Sequence, residues 1–368
     1  MKRDINIRRA IIEGNAQDYR LASAVLKNLD GISTEKSSLQ HFTEDPRMLS
    51  LDKETIRLLP FAGEFLKPCP GTQGYLCCGY QILNIGTNCP LDCSYCILQA
   101  YFNQPSLRVF ANLEEKLEDV GRFIEERSTR IFRIGTGEFT DSLALDPVVR
   151  WSAFLPAFIE RHKNAVLEFK TKTTRTQGLL SAKNRERVVV SWSLNSPYVA
   201  SKEEHGAPAI DMRLKEAARC QQEGFALAFH FDPLIEHRGW KDSYRKTVDL
   251  LDRHVEPRGI AWISMGCLRF MPLLKTVIRR RHPRSCVLRG EFITGLDGKM
   301  RYFKPIRVEM YRFMTDLLNE WHRDAGLYLC MESQDVWEES VGWSPGDSEH
   351  LAAFLDQRAI RILGASHD

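Results

Sequence analysis

The chain has 368 residues, of which 43% are hydrophobic and 27% are charged, a composition typical of globular rather than disordered or fibrous proteins. Its 51 basic and 48 acidic residues leave a formal net charge of +3, which is too small to indicate a nucleic-acid partner by itself. The sequence after Met1 lacks an apolar signal-peptide core, and no apolar run is long enough to span a bilayer, so we expect a cytoplasmic protein without a membrane partner.

The first segment, residues 1–74, shows no regular hydrophobic period and is predicted to be irregular and partly helical. It ends in Cys69-Pro70-Gly71-Thr72-Gln73-Gly74, a turn-rich loop. We therefore place a domain boundary at about Tyr75.

Residues 75–283 alternate short β-rich runs with amphipathic helical stretches, the pattern of a parallel sheet built from βα units. Strands are predicted at 81–85, 130–134, 166–169, 188–192, 226–231 and 259–263, and helices at 113–126, 148–161, 212–222 and 243–254. This α/β pattern favours a partial (β/α)₆ TIM-type barrel, with a doubly wound sheet as the competing topology.

Residues 284–368 do not continue this alternation of strands and helices and are predicted to form a C-terminal extension. A hairpin turning near Leu296-Asp297-Gly298 comes first, followed by a helix over 306–323, a short strand over 327–331 and a polar tail.

Three cysteines, Cys89, Cys93 and Cys96, follow the first predicted barrel strand at spacings of four and three. Active sites of barrels are built from loops at the carboxyl ends of strands. Thiolates suit iron–sulfur clusters or zinc, and a [4Fe–4S] cluster ordinarily takes four of them. Three would leave one iron without a protein ligand. A zinc site completed by Cys77, Cys78 or a distant histidine is the competing interpretation.

The triplet, with Tyr95 before its third cysteine, resembles the signature of the radical S-adenosylmethionine superfamily. The resemblance implies that the open iron binds the methionine moiety of the cofactor and that reduction releases a 5′-deoxyadenosyl radical. It also implies that Tyr95 packs beside the adenine, and we keep Tyr95 as a catalytic candidate too.

Further segments are similar to the spore photoproduct lyase family, radical enzymes that reverse a thymine adduct in DNA. They lie at strand-to-loop junctions and together cover roughly residues 79–311: 89–99, 140–146, 170–172, 193–199, 213–218 and 233–240. The resemblance implies that Thr140, Lys172, Ser193 and Asn195 line the cofactor pocket.

Two departures from that family concern the fate of the product radical. Glu138 stands where the resemblance places a hydrogen-donating cysteine, and a carboxylic O–H bond is too strong for that task. Gly135-Thr136-Gly137-Glu138 instead resembles an element whose acidic residue binds the methionine amino group, with glycines allowing close backbone approach. Ile97 replaces a relay tyrosine. We therefore regard Cys77 and Cys78, with Cys69, as candidates for a substitute donor or a redox site.

The densest basic run, residues 275–289, includes Arg280, Arg281 and Arg284 and leads into the hairpin that carries Arg301, Tyr302 and Lys304. Such a surface could neutralise phosphates while Tyr302 wedges against a base. The ordinary alternative is a solvated helix face.

Together these features predict a radical S-adenosylmethionine lyase that repairs damaged DNA, using a [4Fe–4S] cluster, S-adenosylmethionine and an external electron donor such as ferredoxin or flavodoxin. A radical enzyme with a non-DNA substrate and a non-catalytic iron–sulfur or zinc DNA-binding protein are the alternatives.

Overall fold

The computed structural model describes residues 5–38, 51–72 and 74–364. Within these residues the strands are β1 (Arg9–Glu13), β2 (Ser33–Ser37), β3 (Asp52–Leu59), β4 (Leu66–Pro68), β5 (Gln81–Leu83), β6 (Gly86–Thr87), β7 (Asp92–Cys93), β8 (Ser106–Phe110), β9 (Phe132–Gly135), β10 (Ala165–Thr171), β11 (Val188–Ser193), β12 (Glu204–His205), β13 (Ala226–Leu234), β14 (Ile260–Cys267), β15 (Arg269–Phe270), β16 (Phe292–Thr294), β17 (Met300–Tyr302) and β18 (Leu327–Leu329).

The helices are α1 (Arg20–Asn28), α2 (Leu98–Tyr101), α3 (Leu113–Glu125), α4 (Asp146–Val149), α5 (Leu155–Glu160), α6 (Gln177–Leu180), α7 (Pro197–Glu203), α8 (Ile210–Gln222), α9 (Trp240–His254), α10 (Pro272–Arg281), α11 (Lys304–Trp321), α12 (Gln334–Val341) and α13 (Ser348–Gly364). Two short 3-10 turns lie at Ala16–Asp18 and Trp151–Ala153.

The central element is an eight-stranded sheet in the order β18-β14-β13-β11-β10-β9-β5-β4, in which only the edge strand β4 is antiparallel. Its strands are rich in buried apolar residues because both faces of a parallel sheet are covered. The partial α/β barrel is confirmed, as are all six predicted strands. A seventh parallel strand, β18, comes from the predicted short strand of the C-terminal extension and pairs with β14.

One predicted barrel helix is interrupted. The pattern over 148–161 becomes α4 and α5, because Arg150 takes a left-handed conformation with φ 60°. Proline lies in the first turn of both helices, where its missing N–H costs nothing.

The interior of the barrel is polar near β10. The buried carboxylate of Glu168 accepts a hydrogen bond from the Tyr80 hydroxyl at 2.7 Å and lies 2.6 Å from Nε2 of His230. Burial opposes ionisation, yet His230 lowers the pKa of Glu168 to about 2, so the histidine ring donates to a carboxylate. Gly135 is required here, because a Cβ at that position would lie 1.4 Å from the Tyr80 hydroxyl.

The N-terminal part, predicted to be irregular and partly helical, contains the helix α1 but also strands that the sequence did not indicate. It contributes β1, β2 and β3 to a five-stranded sheet in the order β2-β1-β3-β8-β6. The last two of these strands lie beyond residue 75, so this sheet is completed by chain on the far side of the predicted boundary. The missed strands include β2, whose residues are mostly exposed and polar and so show no apolar alternation.

The C-terminal hairpin and helix are confirmed as β16, β17 and α11, with Gly298 in a left-handed turn conformation. The predicted polar tail instead forms α12 and α13. Helix α13 packs at the amino ends of the barrel strands: Asp356 pairs with Arg133 of β9 at 2.7 Å, and Arg358 donates to the Ile260 carbonyl of β14 at 2.9 Å. No helix in the described ranges is both long and apolar enough to cross a bilayer.

A core substitution tests this packing. Leu227 of β13 is fully buried, so we expect Leu227→Ala to lower the free energy of unfolding by about 2–5 kcal/mol in urea titrations. Leu296→Ala, in the hairpin turn and 89% exposed, is the matched control and should change stability by less than about 0.5 kcal/mol. Equal effects of the two substitutions would contradict the assigned core.

Candidate active site

The cysteine triplet lies in the loop between β6 and α2, after the first parallel strand of the barrel. Cys93 is buried, whereas Cys89 and Cys96 are partly exposed. Local hydrogen bonds hold the loop: the Cys96 amide donates to the Cys93 carbonyl at 3.1 Å, and the Gln99 side chain donates to the carbonyls of Cys93 and Ser94 at 3.0 and 2.9 Å. The thiols are therefore presented by an ordered loop at the carboxyl edge of the sheet.

The three thiols lie close enough to affect one another electrostatically. Burial raises the pKa of Cys89 to about 12 and raises that of Cys93 well above its usual value, and Cys96 acts in the same direction on both. Among the described residues, no three His, Cys, Asp or Glu side chains are arranged to hold one metal ion.

Two consecutive glutamates, Glu203 and Glu204, accept hydrogen bonds from side chains of the cysteine loop. Glu203 accepts hydrogen bonds from the Ser94 hydroxyl and, at 2.8 Å, from the Ser285 hydroxyl. Glu204 accepts from the Tyr95 hydroxyl, and β12, which contains Glu204, pairs antiparallel with β7, which contains Cys93. Tyr95 is thus a buried anchor of the loop, and its phenol is already bound.

Glu204 is part of a fully buried ion pair with Arg213 of α8. Burial opposes its ionisation, but Arg213 and Lys172 lower the pKa of Glu204 below its usual value. Arg213 also donates to the carbonyls of Ser193 and Pro208, both at 2.9 Å. Arg213 therefore neutralises the Glu204 carboxylate and connects β11 to the glutamate that holds the cysteine loop.

Glu138, predicted to bind the cofactor amino group, is paired with Lys170 at the end of β10. Burial alone would lower the pKa of Lys170, but the Glu138 and Glu168 carboxylates raise it above its usual value. A Cβ on Gly137 would lie 2.7 Å from the Lys170 side chain. The glycine thus makes room for this lysine, and the close cofactor approach expected of it stays a prediction.

Thr140 and Asp141 follow in the same loop. The Thr140 hydroxyl is buried without a hydrogen-bond partner in the described part of the chain, as expected of a group that awaits a ligand. Asp141 is a structural residue, since its carboxylate accepts from the Leu143 and Ala144 amides, the Thr171 hydroxyl and the Lys172 amide at 2.7–3.0 Å.

Lys172 lies beside the triplet, with its ammonium 5.9 Å from the centre of the Tyr95 ring, and it lowers the pKa of Cys93 against the effect of burial. Ser193 ends β11 nearby. Asn195 is used internally: its amide donates to the Pro233 carbonyl at 2.9 Å and its oxygen accepts from the Tyr244 hydroxyl at 2.6 Å and the Ser196 amide at 3.0 Å. Its predicted cofactor contact therefore has no support from the hydrogen bonds.

A second group of thiols gathers near Glu138. Burial is the main cause of the raised pKa values of Cys69 and Cys330. The nearby Glu138 and Cys78 raise both pKa values further. A hydrogen bond with Cys78 lowers the pKa of Cys77 to about 7, whereas the pKa of Cys78 itself is raised. Cys330, which follows β18, was not predicted. Because Cys330 is far from Cys78 in the sequence, their electrostatic interaction could not be predicted from it.

The predicted DNA-binding residues do not form one surface. Tyr302 is fully buried, stacks on Phe292 and accepts from the Glu236 amide at 3.1 Å, so its proposed role as a base wedge is wrong. Arg301 is buried and paired with Asp297 at 2.7 Å. Lys304 pairs with Asp335 and Glu339.

The basic helix α10 is closer to the site. Arg281 at its end pairs with Asp92 of the cysteine loop at 2.9 Å and also donates to Gln99, whereas Arg284 is exposed. Arg280 is exposed as well. An exposed aromatic ring, Tyr101, lies in α2 directly after the cysteine loop. Its ring centre is 5.8 Å from that of Phe139, on which it stacks, and the Lys67 ammonium lies 4.6 Å from the Phe139 ring centre.

The supporting residues escaped sequence reasoning. Glu203 and Glu204 resemble ordinary charges at the end of a helix, and Lys170 was overlooked in favour of Lys172. The one available signal was Arg213, a cation on the apolar face of a predicted amphipathic helix, which calls for a buried counter-ion.

The fold and the site together define a partial (β/α) barrel with a three-cysteine loop at the carboxyl edge of its sheet. A sequence profile described as spore photoproduct lyase matches residues 77–301. The chain belongs to the spore photoproduct lyase family.

Individual relatives agree with this assignment. The chain is 28% identical over 204 residues to a spore photoproduct lyase of Geobacillus sp. strain Y412MC61, covering 55% of this chain and 60% of that protein. It is 26% identical over 202 residues to spore photoproduct lyase of Bacillus subtilis strain 168, covering 54% and 59%. The matched part is thus about three-fifths of each of these two relatives.

A solved structure of a spore photoproduct lyase mutant, with bound AdoMet and dinucleoside spore photoproduct, superimposes with a TM-score of 0.76 at 22% identity. The match covers 90% of this chain and 100% of that one. At this identity it establishes the fold.

The buried ion pair offers a test of the loop support. We expect Arg213→Met to cost about 3–5 kcal/mol at neutral pH, because it leaves the Glu204 carboxylate buried without its cation. Arg213 is the main group that lowers the pKa of Glu204 against burial; without it, burial raises this pKa, so the variant's native state binds a proton as the pH falls and the uncompensated charge disappears. The deficit measured by urea unfolding should therefore shrink near pH 4.

Lys215→Met is the control, because Lys215 forms an exposed helix pair with Asp211 at 2.7 Å that is worth less than about 1 kcal/mol. A deficit of the Arg213 variant that stayed constant between pH 7 and pH 4 would show that packing, not charge, explains the loss.

Proposed function

We propose that this protein is a radical S-adenosylmethionine lyase that repairs a pyrimidine adduct in DNA by C–C bond cleavage. The observation that carries the proposal is the position of the Cys89, Cys93 and Cys96 loop, held at the carboxyl edge of a partial barrel in a chain of the spore photoproduct lyase family. The relative whose structure is described above carries AdoMet and dinucleoside spore photoproduct, the ligand chemistry that this proposal assigns to the present chain.

The residues fit the implied cofactors. Three thiols and no fourth ligand on the same loop suit a [4Fe–4S] cluster with one iron open to an exogenous ligand. The unpartnered hydroxyl of Thr140 and the Glu138–Lys170 pair offer hydrogen-bonding and charged groups to a zwitterionic cofactor. With S-adenosylmethionine on a reduced cluster, this pair of cofactors supplies a carbon radical able to abstract hydrogen from a substrate.

The protein's own residues organise this chemistry. Lys172 places a cation beside Cys93 and the Tyr95 ring, where it offsets the negative charge of a thiolate-ligated cluster. Glu203 and Glu204 keep the loop in one conformation, so the ligands are arranged before the cluster is bound. An external one-electron donor such as ferredoxin or flavodoxin completes the proposal.

For the substrate, we assign base stacking to the exposed ring of Tyr101 with Phe139 and Lys67, in place of the buried Tyr302. Aromatic rings on a rim accept unstacked bases regardless of sequence.

We assign the return of hydrogen to the product radical to the second thiol group. Hydrogen-atom donation breaks an S–H bond, forms a C–H bond on the product and leaves the unpaired electron on sulfur, so the donor must be protonated. Cys69, Cys78 and Cys330 have raised pKa values chiefly because burial, or for Cys78 its hydrogen bond with Cys77, disfavours the thiolate. They therefore suit the task better than Cys77.

Two other functions are kept as outcomes of the tests. A non-DNA substrate is favoured by Glu138, which replaces the expected donor cysteine. A binding protein without catalysis would keep the cluster loop but make no 5′-deoxyadenosine. A cytoplasmic location is part of the proposal, because all ten cysteines lie among the described residues as free thiols, as a reducing compartment requires.

The function is tested with anaerobically reconstituted protein, S-adenosylmethionine, a reductant and synthetic dinucleoside spore photoproduct. We expect 5′-deoxyadenosine and repaired thymine by chromatography. Cys93→Ala should bind less iron and lose both products, because it removes a cluster ligand. Cys220→Ala, a buried thiol of α8, is the matched control and should retain iron and activity.

The outcomes separate the alternatives. 5′-Deoxyadenosine without repaired thymine would point to another substrate, and neither product from iron-loaded protein would leave binding alone. An iron-free wild type would overturn the proposal.

The donor thiol is tested by running the reaction in D₂O, where exchangeable S–D groups label the product. We expect one deuterium in the thymine methyl group by mass spectrometry, and loss of the label in the alanine variant of whichever of Cys69, Cys78 or Cys330 is the donor. S-adenosylmethionine cleavage should persist in that variant. If all three variants, and Cys77→Ala, transferred deuterium as well as the wild type, the thiol assignment would be wrong.

A further inference from the structure

An open cleft of about 560 Å³ lies between α7 and the segment that follows α10. Four cationic side chains contribute to its lining, namely Lys202, Arg281, Arg284 and Arg289, together with the imidazoles of His205 and His282. Tyr198, 42% exposed, lies on the same wall.

Arg281 pairs with Asp92, whereas the other three cations of this cleft lack a carboxylate counter-ion among the described residues. Lys202, Arg284 and Arg289 form no ion pair with a carboxylate in the described part of the chain, and all three are exposed. The one acidic residue in the lining, Glu203, is buried, and its oxygens accept hydrogen bonds from Ser94, Ser285 and Cys286. The surface that the cleft presents is therefore strongly positive.

A second open cleft of about 620 Å³ gives a useful contrast. It lies beside α11 and also contains lysines, but Lys241 pairs with Glu309, and Lys304 pairs with Asp335 and Glu339. Its charges are balanced by neighbouring carboxylates. Of these two clefts, the one beside α7 leaves its positive charge for an external anion.

The floor of the positive cleft is connected to the cysteine loop. His205 belongs to β12 and pairs across the ladder with Asp92 of β7, next to Cys93. Arg281 reaches the same Asp92 at 2.9 Å. The cleft is thus connected to the segment that carries Cys93 through β12 and through Arg281.

We propose that this cleft is a phosphodiester-binding subsite that holds the single-stranded DNA backbone flanking the lesion. The inference rests on the proposed function for the identity of the nucleic acid. Several unpaired cations with two imidazoles and a partly exposed tyrosine match a polyanion with stacking bases better than a single small anion. None of the residues that line this cleft is among those assigned above to the cofactor or to base stacking, so the subsite is distinct from both.

The test compares two probes. The first is a fluorescein-labelled single-stranded oligodeoxynucleotide whose affinity is measured by anisotropy over a range of salt concentrations. The second is dinucleoside spore photoproduct, which has no flanking phosphates and whose repair is measured by chromatography. The variant combines Lys202→Ala, Arg284→Ala and Arg289→Ala. It spares Arg281, whose contacts support the cysteine loop.

We expect the triple variant to bind the oligonucleotide at least about tenfold more weakly at low salt. The slope of log affinity against log salt should fall by about 0.7 for each phosphate that the variant no longer neutralises. Repair of the dinucleoside should be unchanged. The matched control replaces Lys163, Lys183 and Arg258 by alanine, because these exposed cations precede β10, β11 and β14 at the opposite edge of the sheet, and it should bind nearly as the wild type does.

Three results would overturn the subsite: oligonucleotide binding unaffected in the triple variant, an equal loss in the control, or a parallel loss of dinucleoside repair, which would place these residues in the lesion pocket. Failure of the proposed function is distinguishable, because the wild type would then not repair the dinucleoside, while the binding comparison would still report on the cleft.

Discussion

The arrangement of the site depends on keeping two adjacent carboxylates, Glu203 and Glu204, charged inside the protein. Each is a buried acceptor for groups on the cysteine loop, Ser94 in one case and Tyr95 in the other. Burying a carboxylate is costly unless its charge is compensated. Arg213 provides that compensation for Glu204, and hydroxyl, amide and thiol donors provide it for Glu203. The conformation of the cysteine loop therefore depends on the charged Glu203 and Glu204 carboxylates and their partners as well as on the sequence of the loop.

The same principle recurs around the barrel mouth. The Glu138–Lys170 pair, the Arg269–Asp232 pair at 2.9 Å and the Glu168–His230 contact at 2.6 Å all lie on or just beyond the parallel strands. A parallel sheet brings these strand ends to one edge, where side chains from distant segments meet. Mutually compensating charges allow such a site to remain ordered while it leaves polar groups available for ligands.

The sequence predicted the barrel well because its strands are short buried apolar runs separated by amphipathic helices, and such patterns depend on local periodicity alone. The cysteine triplet could also be recognised from the sequence, because its three thiols fall within eight residues. What could not be predicted depends on contacts between distant segments: Glu204 beneath Tyr95, Cys330 beside Cys78, and the burial of Tyr302 under Glu236 and Phe292. Strand β2 escaped because its polar residues carry no apolar alternation, and Lys304 was misjudged because its carboxylate partners belong to α12.

The path of the chain between the two sheets adds a constraint of its own. Strands β6 and β8, which stand immediately before and after the cysteine loop, hydrogen-bond to each other within the N-terminal sheet, and β8 also pairs with β3. The cysteine loop therefore begins and ends at two strands of that sheet, and main-chain hydrogen bonds between these strands hold its two ends together. The N-terminal sheet therefore holds both ends of the segment that presents the three thiols, and removing this sheet would free that segment at both ends.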